Sequence, residues 1–275
     1  MAGTLFIVGT PIGNLQDLTD RARTTLAGVG LVAAEDTRRT GLLLQGLGIA
    51  VPMVSLFDAN EAARTPKVIA ALRDGIDVAI VSDGGMPLVS DPGFRVVRAV
   101  AEAGFEARVV PGPSAAIAAL VVSGLPTDRW VFEGFLPKKP GDRRRRLEAL
   151  CTEERTVVLF ESPRRVGALL RAIIDVLGDR PVALCRELTK LHEATIRGPA
   201  SVVAAAVGDA PLRGEVVLVV GGAADQAPAD PAEAVAEARA LVGAGARPRD
   251  AARTVARARS LSANEIYRLL LEPPA

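Results

Sequence analysis

Short apolar runs alternate with amphipathic stretches from the first residues onward. Strand-like runs fall at 4–8, 31–34, 77–81 and 107–110. Between and after them, at 19–27, 37–45, 61–74, 94–103 and 114–123, apolar residues recur at helical spacing. This alternation predicts a mostly parallel sheet with helices on both faces. The run 51–55 reads as one further strand. Ser123-Gly124-Leu125-Pro126-Thr127 breaks the pattern and reads as a hinge. A second αβ segment follows, with strands at 130–133, 156–160, 182–187, 193–197 and 215–220 and helices at 142–152, 164–177 and 201–207. Residues 221–230, rich in Ala, Gly, Pro and Asp, read as a linker. Three short helices at 231–241, 248–258 and 262–271 close the chain, the last opened by Ser262 and Glu265 at capping-box spacing. The pattern therefore predicts an α/β domain over 1–123, a second over 124–222 and a helical extension over 231–275. That extension is either a helix-turn-helix-like module or an appendage that packs on a dimer partner.

The loops after three strands carry the candidate chemistry. The segment 81–93 packs three glycines, two prolines and two aspartates between a strand and a helix. An ordinary strand–helix turn needs only two or three such residues. Glycine lets backbone approach a ligand, proline stiffens the loop, and ligands of open α/β sheets bind at the carboxyl ends of strands. Asp83 and Ser90 are candidate side-chain contacts, with Met86, Val89 and Asp91 beside them; a turn aspartate is the plain alternative for Asp83. Thr10-Pro11-Ile12-Gly13 and Pro111-Gly112-Pro113-Ser114-Ala115 have the same strand–turn–helix setting. Neither Walker loop nor dinucleotide fingerprint is present, because the Lys-Ser/Thr ending and the third glycine are missing.

Composition narrows the class. A chain of 275 residues with 49% hydrophobic positions supports separate cores and argues against disorder. No apolar run is long enough to cross a bilayer, and the first residues do not read as a signal peptide. Cys151 and Cys185 make neither a disulfide framework nor a metal site, and His192 is the single histidine, so no metal centre is expected and a reducing, cytoplasmic setting is. The net charge of +1 does not suggest a wholly basic nucleic-acid binder. Locally, however, Lys138, Lys139, Arg143, Arg144, Arg145 and Arg146 stand against one acid, Asp142. Lying between a strand and a helix, they are expected to splay into solvent and meet phosphates; a solvated helix start is the alternative. Arg164 and Arg165 add a second basic point. One Trp and one Tyr argue against a single-strand stacking platform and favour a folded RNA surface.

Five motifs in fixed order carry a resemblance: Ile7-Val8-Gly9-Thr10-Pro11-Ile12-Gly13-Asn14-Leu15, Ala34-Glu35-Asp36-Thr37-Arg38, Ser82-Asp83-Gly84-Gly85-Met86-Pro87 with Ser90-Asp91-Pro92-Gly93, Pro111-Gly112-Pro113-Ser114-Ala115 and Arg186-Glu187-Leu188-Thr189-Lys190. Over roughly residues 4–222 the chain resembles the ribosomal RNA small subunit methyltransferase I family of the tetrapyrrole-methylase-like superfamily. The resemblance implies two α/β domains with an S-adenosyl-L-methionine cleft between them, a homodimer, and 2′-O-methylation of a cytidine in the decoding region of 16S rRNA. It also brings Phe135, Glu161 and Leu188 to the cofactor from the second domain, opposite Pro11, Gly13, Pro113, Ser114 and Ala115. There are departures. The family's His-rich stretch is Ser55-Leu56-Phe57-Asp58-Ala59-Asn60-Glu61 here, its usual Tyr and His are replaced in Leu159-Phe160-Glu161-Ser162-Pro163-Arg164-Arg165, and Gly84 stands where Ala is more usual.

Attack by a ribose hydroxyl needs a proton acceptor or a cation for the developing alkoxide. Asp36, Glu161, Glu187 and Lys190 are candidates, against an N-cap reading for Asp36 and a salt-bridged turn for 186–190. A neutral Lys190 would need a strongly lowered pKa. His192 reads more simply as a surface residue. A tetrapyrrole C-methyltransferase and a non-catalytic nucleic-acid-binding regulator are the competing functions; the three ligand loops count against the regulator.

Overall fold

The computed structural model describes residues 1–208, 212–223, 231–259 and 263–271. Five strands, β1 (Leu5–Val8), β2 (Leu31–Ala34), β3 (Met53–Ser55), β4 (Val78–Val81) and β5 (Ala107–Val110), pair in parallel in the order β3-β2-β4-β1-β5. Strand alternation divides their side chains between two cores. Val8, Val32, Ala34, Ala79 and Val81 meet Ala22 and Leu26 of α1 (Asp20–Gly28) and Leu44 of α2 (Thr37–Gly46). Leu5, Ala33, Val78 and Ile80 meet Val68 and Leu72 of α3 (Glu61–Arg73) and Val96 and Val100 of α4 (Phe94–Glu102). Central β4 is buried along its whole length, as expected of a strand covered on both faces.

The second sheet contains β6 (Trp130–Phe135), β7 (Thr156–Glu161), β8 (Pro181–Arg186), β9 (Ala194–Pro199) and β10 (Val216–Val220) in the order β6-β7-β10-β8-β9. Only β6 and β7 are parallel; the remaining pairs are antiparallel. Its outer face packs on α6 (Pro140–Glu148), α7 (Val166–Leu177) and α8 (Ala200–Val207), through Leu147, Leu169, Leu170, Ile173 and Val203.

The other face is covered by α5 (Ala115–Ser123), whose Ala116, Ala119 and Leu120 sit on Val158, Ala183, Cys185, Val217 and Val219. The sequence pattern counts α5 with the first domain, but its packing gives it to the second sheet. The helix is apolar nearly all round and its alanines allow close approach to a sheet, so its sequence does not distinguish the two. Gly124 ends it in the left-handed region (φ 75°), and Arg197 from β9 donates to the Val122 and Ser123 carbonyls, which pins the expected hinge to the second sheet.

Several element ends move, two of them for a clear local reason. Strand β6 runs on to Phe135 through a register shift at Gly134 (φ 60°). Helix α6 starts at Pro140, because proline suits a first helical turn, and ends at Glu148.

Met1–Gly222 form one compact unit and 223–275 a second. In the second, α9 (Pro231–Gly243), α10 (Pro248–Arg259) and α11 (Ala263–Leu271) bury Ala234, Val235, Ala238, Ala251, Ala252, Val255 and Ile266 together. The Arg249 guanidinium lies 5.4 Å from the Tyr267 ring centre. The Ser262 half of the predicted capping box, and most of the predicted linker, lie outside the described residues.

Candidate functional site

The loops following β1, β4 and β5 converge at the carboxyl edge of the first sheet. Thr10 and Gly85 exchange two backbone hydrogen bonds of 2.9 Å, and the Thr10 hydroxyl donates to the Ser82 carbonyl at 3.3 Å. Gly9 and Gly112 touch backbone to backbone: a Cβ on Gly9 would stand 2.7 Å from Gly112 Cα and from Met86 Sδ. Leu88 (φ 73°) and Ser90 (φ 65°) occupy the left-handed region without being glycine. Such strain persists only where surroundings impose it. Glu61 supplies part of that restraint. Its Oε1, on a side chain buried beneath the loop, accepts from the amides of Gly93 (3.1 Å), Arg95 (2.7 Å) and Val96 (3.4 Å). Sequence pattern assigns Glu61 only to a helix start; nothing local signals a partner 32 residues away.

The second sheet closes the cleft with the segment after β8, where Glu187 (φ 52°) and Thr189 (φ 65°) are again left-handed. A Cβ on Gly13 would lie 2.4 Å from Lys190 Cγ and 2.8 Å from Thr189 Oγ1, and one on Gly134 would lie 2.8 Å from Ser90 Oγ. The cleft between these walls has a volume of about 650 Å³. Pro11, Gly13, Asp83, Met86, Val89, Ser90 and Asp91 line it from the first sheet's side, and Ser114, Ala115, Phe135, Glu161 and Lys190 from the other. Glu35, Arg39, Phe160 and 214–217 line it too, though none of them is among the candidates read from the sequence.

Four candidates stand apart from that lining. Leu188 is buried in the core beneath α5, and Pro113 sits behind Gly85 with its carbonyl 3.6 Å from where a Cβ would be. Asp36 caps α2 by accepting from the Arg38 amide at 2.8 Å, and it pairs with the Arg38 guanidinium at 2.7 Å. Those bonds hold its carboxyl well below the usual range. Glu187 accepts from Lys190 Nζ at 2.9 Å and from the Glu215 amide at 2.9 Å, and is likewise lowered, chiefly by the Lys190 bond. Lys190 Nζ also reaches Glu215 at 3.2 Å. Burial alone would lower its pKa, but the two carboxylates outweigh this and raise it, so Lys190 is an ammonium. His192 is exposed in the following turn.

Asp83 is more engaged than a free ligand contact would be. Its Oδ1 accepts from the Asp36 amide (3.1 Å), its Oδ2 from Arg39 (2.9 Å), and its own amide donates to Glu35 Oε2 (3.1 Å). It ties the loops after β2 and β4 together. Glu161 is fully buried, pairs with Arg165 and accepts from the Ser162 amide at 2.6 Å, while its Oε2 has no partner among the described residues.

The basic run opens α6 with its charges facing solvent, but largely paired. Arg143, Arg144, Arg145 and Arg146 are helical, and three of them are paired: Arg144 with Glu148 (3.0 Å), Arg145 with Asp142, and Arg146 with Glu133 through two bonds of 2.6 Å. Acids one helical turn away, and one across the fold, answer charges that the bare run leaves open. Lys138, Lys139 and Arg164 are exposed.

Residues 4–204 match the tetrapyrrole (corrin/porphyrin) methylases. A "ribosomal RNA small subunit methyltransferase I" from Synechocystis sp. is 44% identical over 273 residues, covering 98% of each chain. One of the same name from Thermotoga maritima is 46% identical over 220 residues, 80% of this chain and 99% of its own. The chain belongs to the ribosomal RNA small subunit methyltransferase I family. Among solved structures, the uroporphyrin-III C-methyltransferase of Thermus thermophilus superposes with a TM-score of 0.58 at 26% identity, covering 80% of this chain and 94% of its own.

The methyl donor of this methyltransferase family is S-adenosyl-L-methionine. The cleft fits such a molecule. Glycines at 13, 84 and 85 let the lining loops approach where a Cβ would press on neighbouring atoms, apolar walls are supplied by Met86, Ala115 and Phe160, and an acceptor on Glu161 is buried with no partner among the described residues.

The cleft also has an acidic edge. Asp91 is pushed up to about 6, first by burial, then by Glu35, with Asp83 and Asp58 adding to the shift and a Ser82 hydrogen bond opposing it. Between the ordinary value of 3.8 and about 6, the folded state keeps a proton that the unfolded chain has released. The stability tied to neutral Asp91 is thus complete below the lower value and lost as pH rises through the upper one. Asp91→Asn is expected to melt progressively above wild type as pH rises from about 4 to about 6, with the gap constant above about 7, in calorimetry at several pH values. An offset that does not change with pH would contradict the shift.

Proposed function

We propose that this chain transfers the methyl group of S-adenosyl-L-methionine to the 2′-hydroxyl of a cytidine ribose in the decoding region of 16S rRNA, on the assembled small ribosomal subunit. The observation that carries this reading is the 44% identity, over 98% of both chains, to a relative named for the small-subunit RNA. Two features support it: a cleft open at one side, and a surface with Lys138, Lys139 and Arg164 exposed to meet phosphates. Paired Arg144, Arg145 and Arg146 remain part of the proposed RNA surface, their partners giving way to phosphate; Arg143 backs them and Arg165 orders the wall around Glu161. A cytoplasmic homodimer is part of the same reading.

The sulfonium supplies an activated methyl group. The protein's share is alignment and charge. Pro11, Gly13, Met86, Val89, Ser90 and Asp91 hold the donor from the first sheet's loops and Ser114 and Ala115 from the start of α5, with Pro113 and Leu188 backing them. Asp83 and Asp36 fix the loops after β4 and β2 against each other. Lys190, kept as an ammonium and steered by Glu187, faces the cleft and stabilises negative charge developing on the ribose oxygen.

The test is transfer of labelled methyl to unmodified small subunits, bare 16S rRNA and a tetrapyrrole precursor, followed by nucleoside analysis. Label is expected as 2′-O-methylcytidine from subunits. Label confined to the tetrapyrrole, the substrate class in the Thermus neighbour's name, would replace this reading with that one. In the same assay Lys190→Met is expected to lower kcat about tenfold, a modest loss because two carboxylates already screen the cation. Affinity for S-adenosylhomocysteine should stay within about threefold.

A further inference from the structure

Phe135 stands at the end of β6 with 55% of its surface exposed, on the cleft wall. Phe94 and Phe57 are exposed as well, but neither lines the cleft; Phe135 is the exposed ring on its wall. Its orientation is fixed from behind. The Phe160 ring meets it edge to face at 5.6 Å and 64°, and Phe132 meets Phe160 in turn at 5.0 Å and 75°. Three of the seven phenylalanines thus form one buttressed column whose outermost member is open to solvent. Leu15 (71% exposed) and Val89 (37%) line the same cleft from the first sheet's loops. Apolar side chains therefore meet the cleft from both walls.

We propose that Phe135 is the platform on which the acceptor nucleobase stacks, with Leu15 and Val89 completing the apolar lip, so that the ribose attached to that base is aligned with the donor. This rests on the rRNA reading and assigns Phe135 to the acceptor rather than to the donor. A ribose 2′-hydroxyl enters a cleft of this size only with its base beside it, drawn away from its stacked neighbours. A nucleobase stacks on a fixed aromatic ring irrespective of sequence, replacing the stacking lost on leaving the RNA. Mobile Lys or Arg side chains at the mouth would bind phosphate without setting the angle of the sugar. A buttressed ring sets it.

Phe135→Leu keeps an apolar side chain and removes the π face; Phe135→Trp keeps the face. With unmodified small subunits at saturating donor, Phe135→Leu is expected to raise the KM for subunits about tenfold. Its Kd for S-adenosylhomocysteine, measured by calorimetry, should stay within about twofold, and Phe135→Trp should restore the KM. Equal weakening of S-adenosylhomocysteine and subunit binding would give the ring to the donor and overturn the proposal. So would an unchanged KM. Wild type separates the two layers: failure of wild type to label subunits overturns the rRNA reading itself, whereas wild-type transfer with an indifferent Phe135→Leu overturns only the platform.

Discussion

Gly9→Val is expected to lower kcat/KM for methyl transfer by roughly a hundredfold or more and to weaken S-adenosylhomocysteine binding in parallel. The cause is distance. Even a single Cβ at position 9 would sit 2.7 Å from Gly112 Cα, Gly112 N and Met86 Sδ, and the reciprocal Cβ at 112 would sit 2.9 Å from Gly9 Cα. Met86 could swing aside, but the Gly112 backbone is continuous with β5 and α5, so relief must come from the loops parting. Once they part, Thr10 is drawn off its pair of bonds to Gly85, and the strained run through Leu88 and Ser90 loses its neighbour. A displacement of about 1 Å in groups that align reactants costs on the order of a hundredfold in rate. Gly28→Ala is the control. A Cβ there meets nothing within 4 Å, and exchange of a helical glycine for alanine is expected to leave activity intact and stability equal or slightly higher. Calorimetry of S-adenosylhomocysteine binding to both variants decides the matter: unchanged affinity in Gly9→Val would mean that the close approach does not shape the donor site.

The legibility of this site in the sequence follows the range of the interactions. Gly/Pro loops after β1, β4 and β5 are local features, and twelve of the sixteen candidate cofactor and catalytic residues line the cleft. Hydrophobic periodicity likewise located nearly every strand and helix, because burial on one or two faces leaves a period that can be counted. What escaped depends on partners far along the chain. The placement of α5 on the second sheet is invisible in a helix apolar on all sides. Glu61 looks like any acidic helix start until the fold carries α4 over it. Arg39 and Glu35 became part of the cleft only through Asp83, 44 and 48 residues away. The pairing within the charge run is hidden for the same reason: Glu133, which answers Arg146, is on β6. The column of Phe132, Phe160 and Phe135 needs two strands in register before it exists at all.

Arg180→Met is expected to destabilise the unit containing the second sheet by about 3 kcal/mol, which for a unit of this size is a fall in melting temperature of roughly 6–12 °C. Arg180 is only 9% exposed and lies where the ends of α6 and α7 approach β8. Its guanidinium faces backbone carbonyls rather than an acid. Nε donates to Leu177 at 3.2 Å, one terminal nitrogen to Glu153 at 3.4 Å, and the other to Leu150 at 3.4 Å and Cys151 at 2.5 Å. Leu177 is the last residue of α7, where carbonyls lack intrahelical partners and the helix dipole is negative, and the other three acceptors lie in the turn just after α6, so a buried cation there serves both. Burial lowers the Arg180 pKa, yet guanidinium stays charged at any ordinary pH. Methionine fills much of the space but donates to none of the four carbonyls; Leu150 keeps the Glu153 amide at 3.1 Å, while each of the others that is left without a donor carries its own desolvation cost. Lysine separates charge from geometry. A single ammonium on a flexible stem cannot reach carbonyls spread over two helix ends, so Arg180→Lys is expected to recover less than half of the loss. Full recovery by lysine would show that charge near the helix ends matters and the fork of donors does not. Because Arg180 is outside the cleft lining, residual activity per folded molecule at low temperature should match wild type; a drop in kcat there would instead mean that the second sheet's packing at Arg180 is transmitted to the donor site.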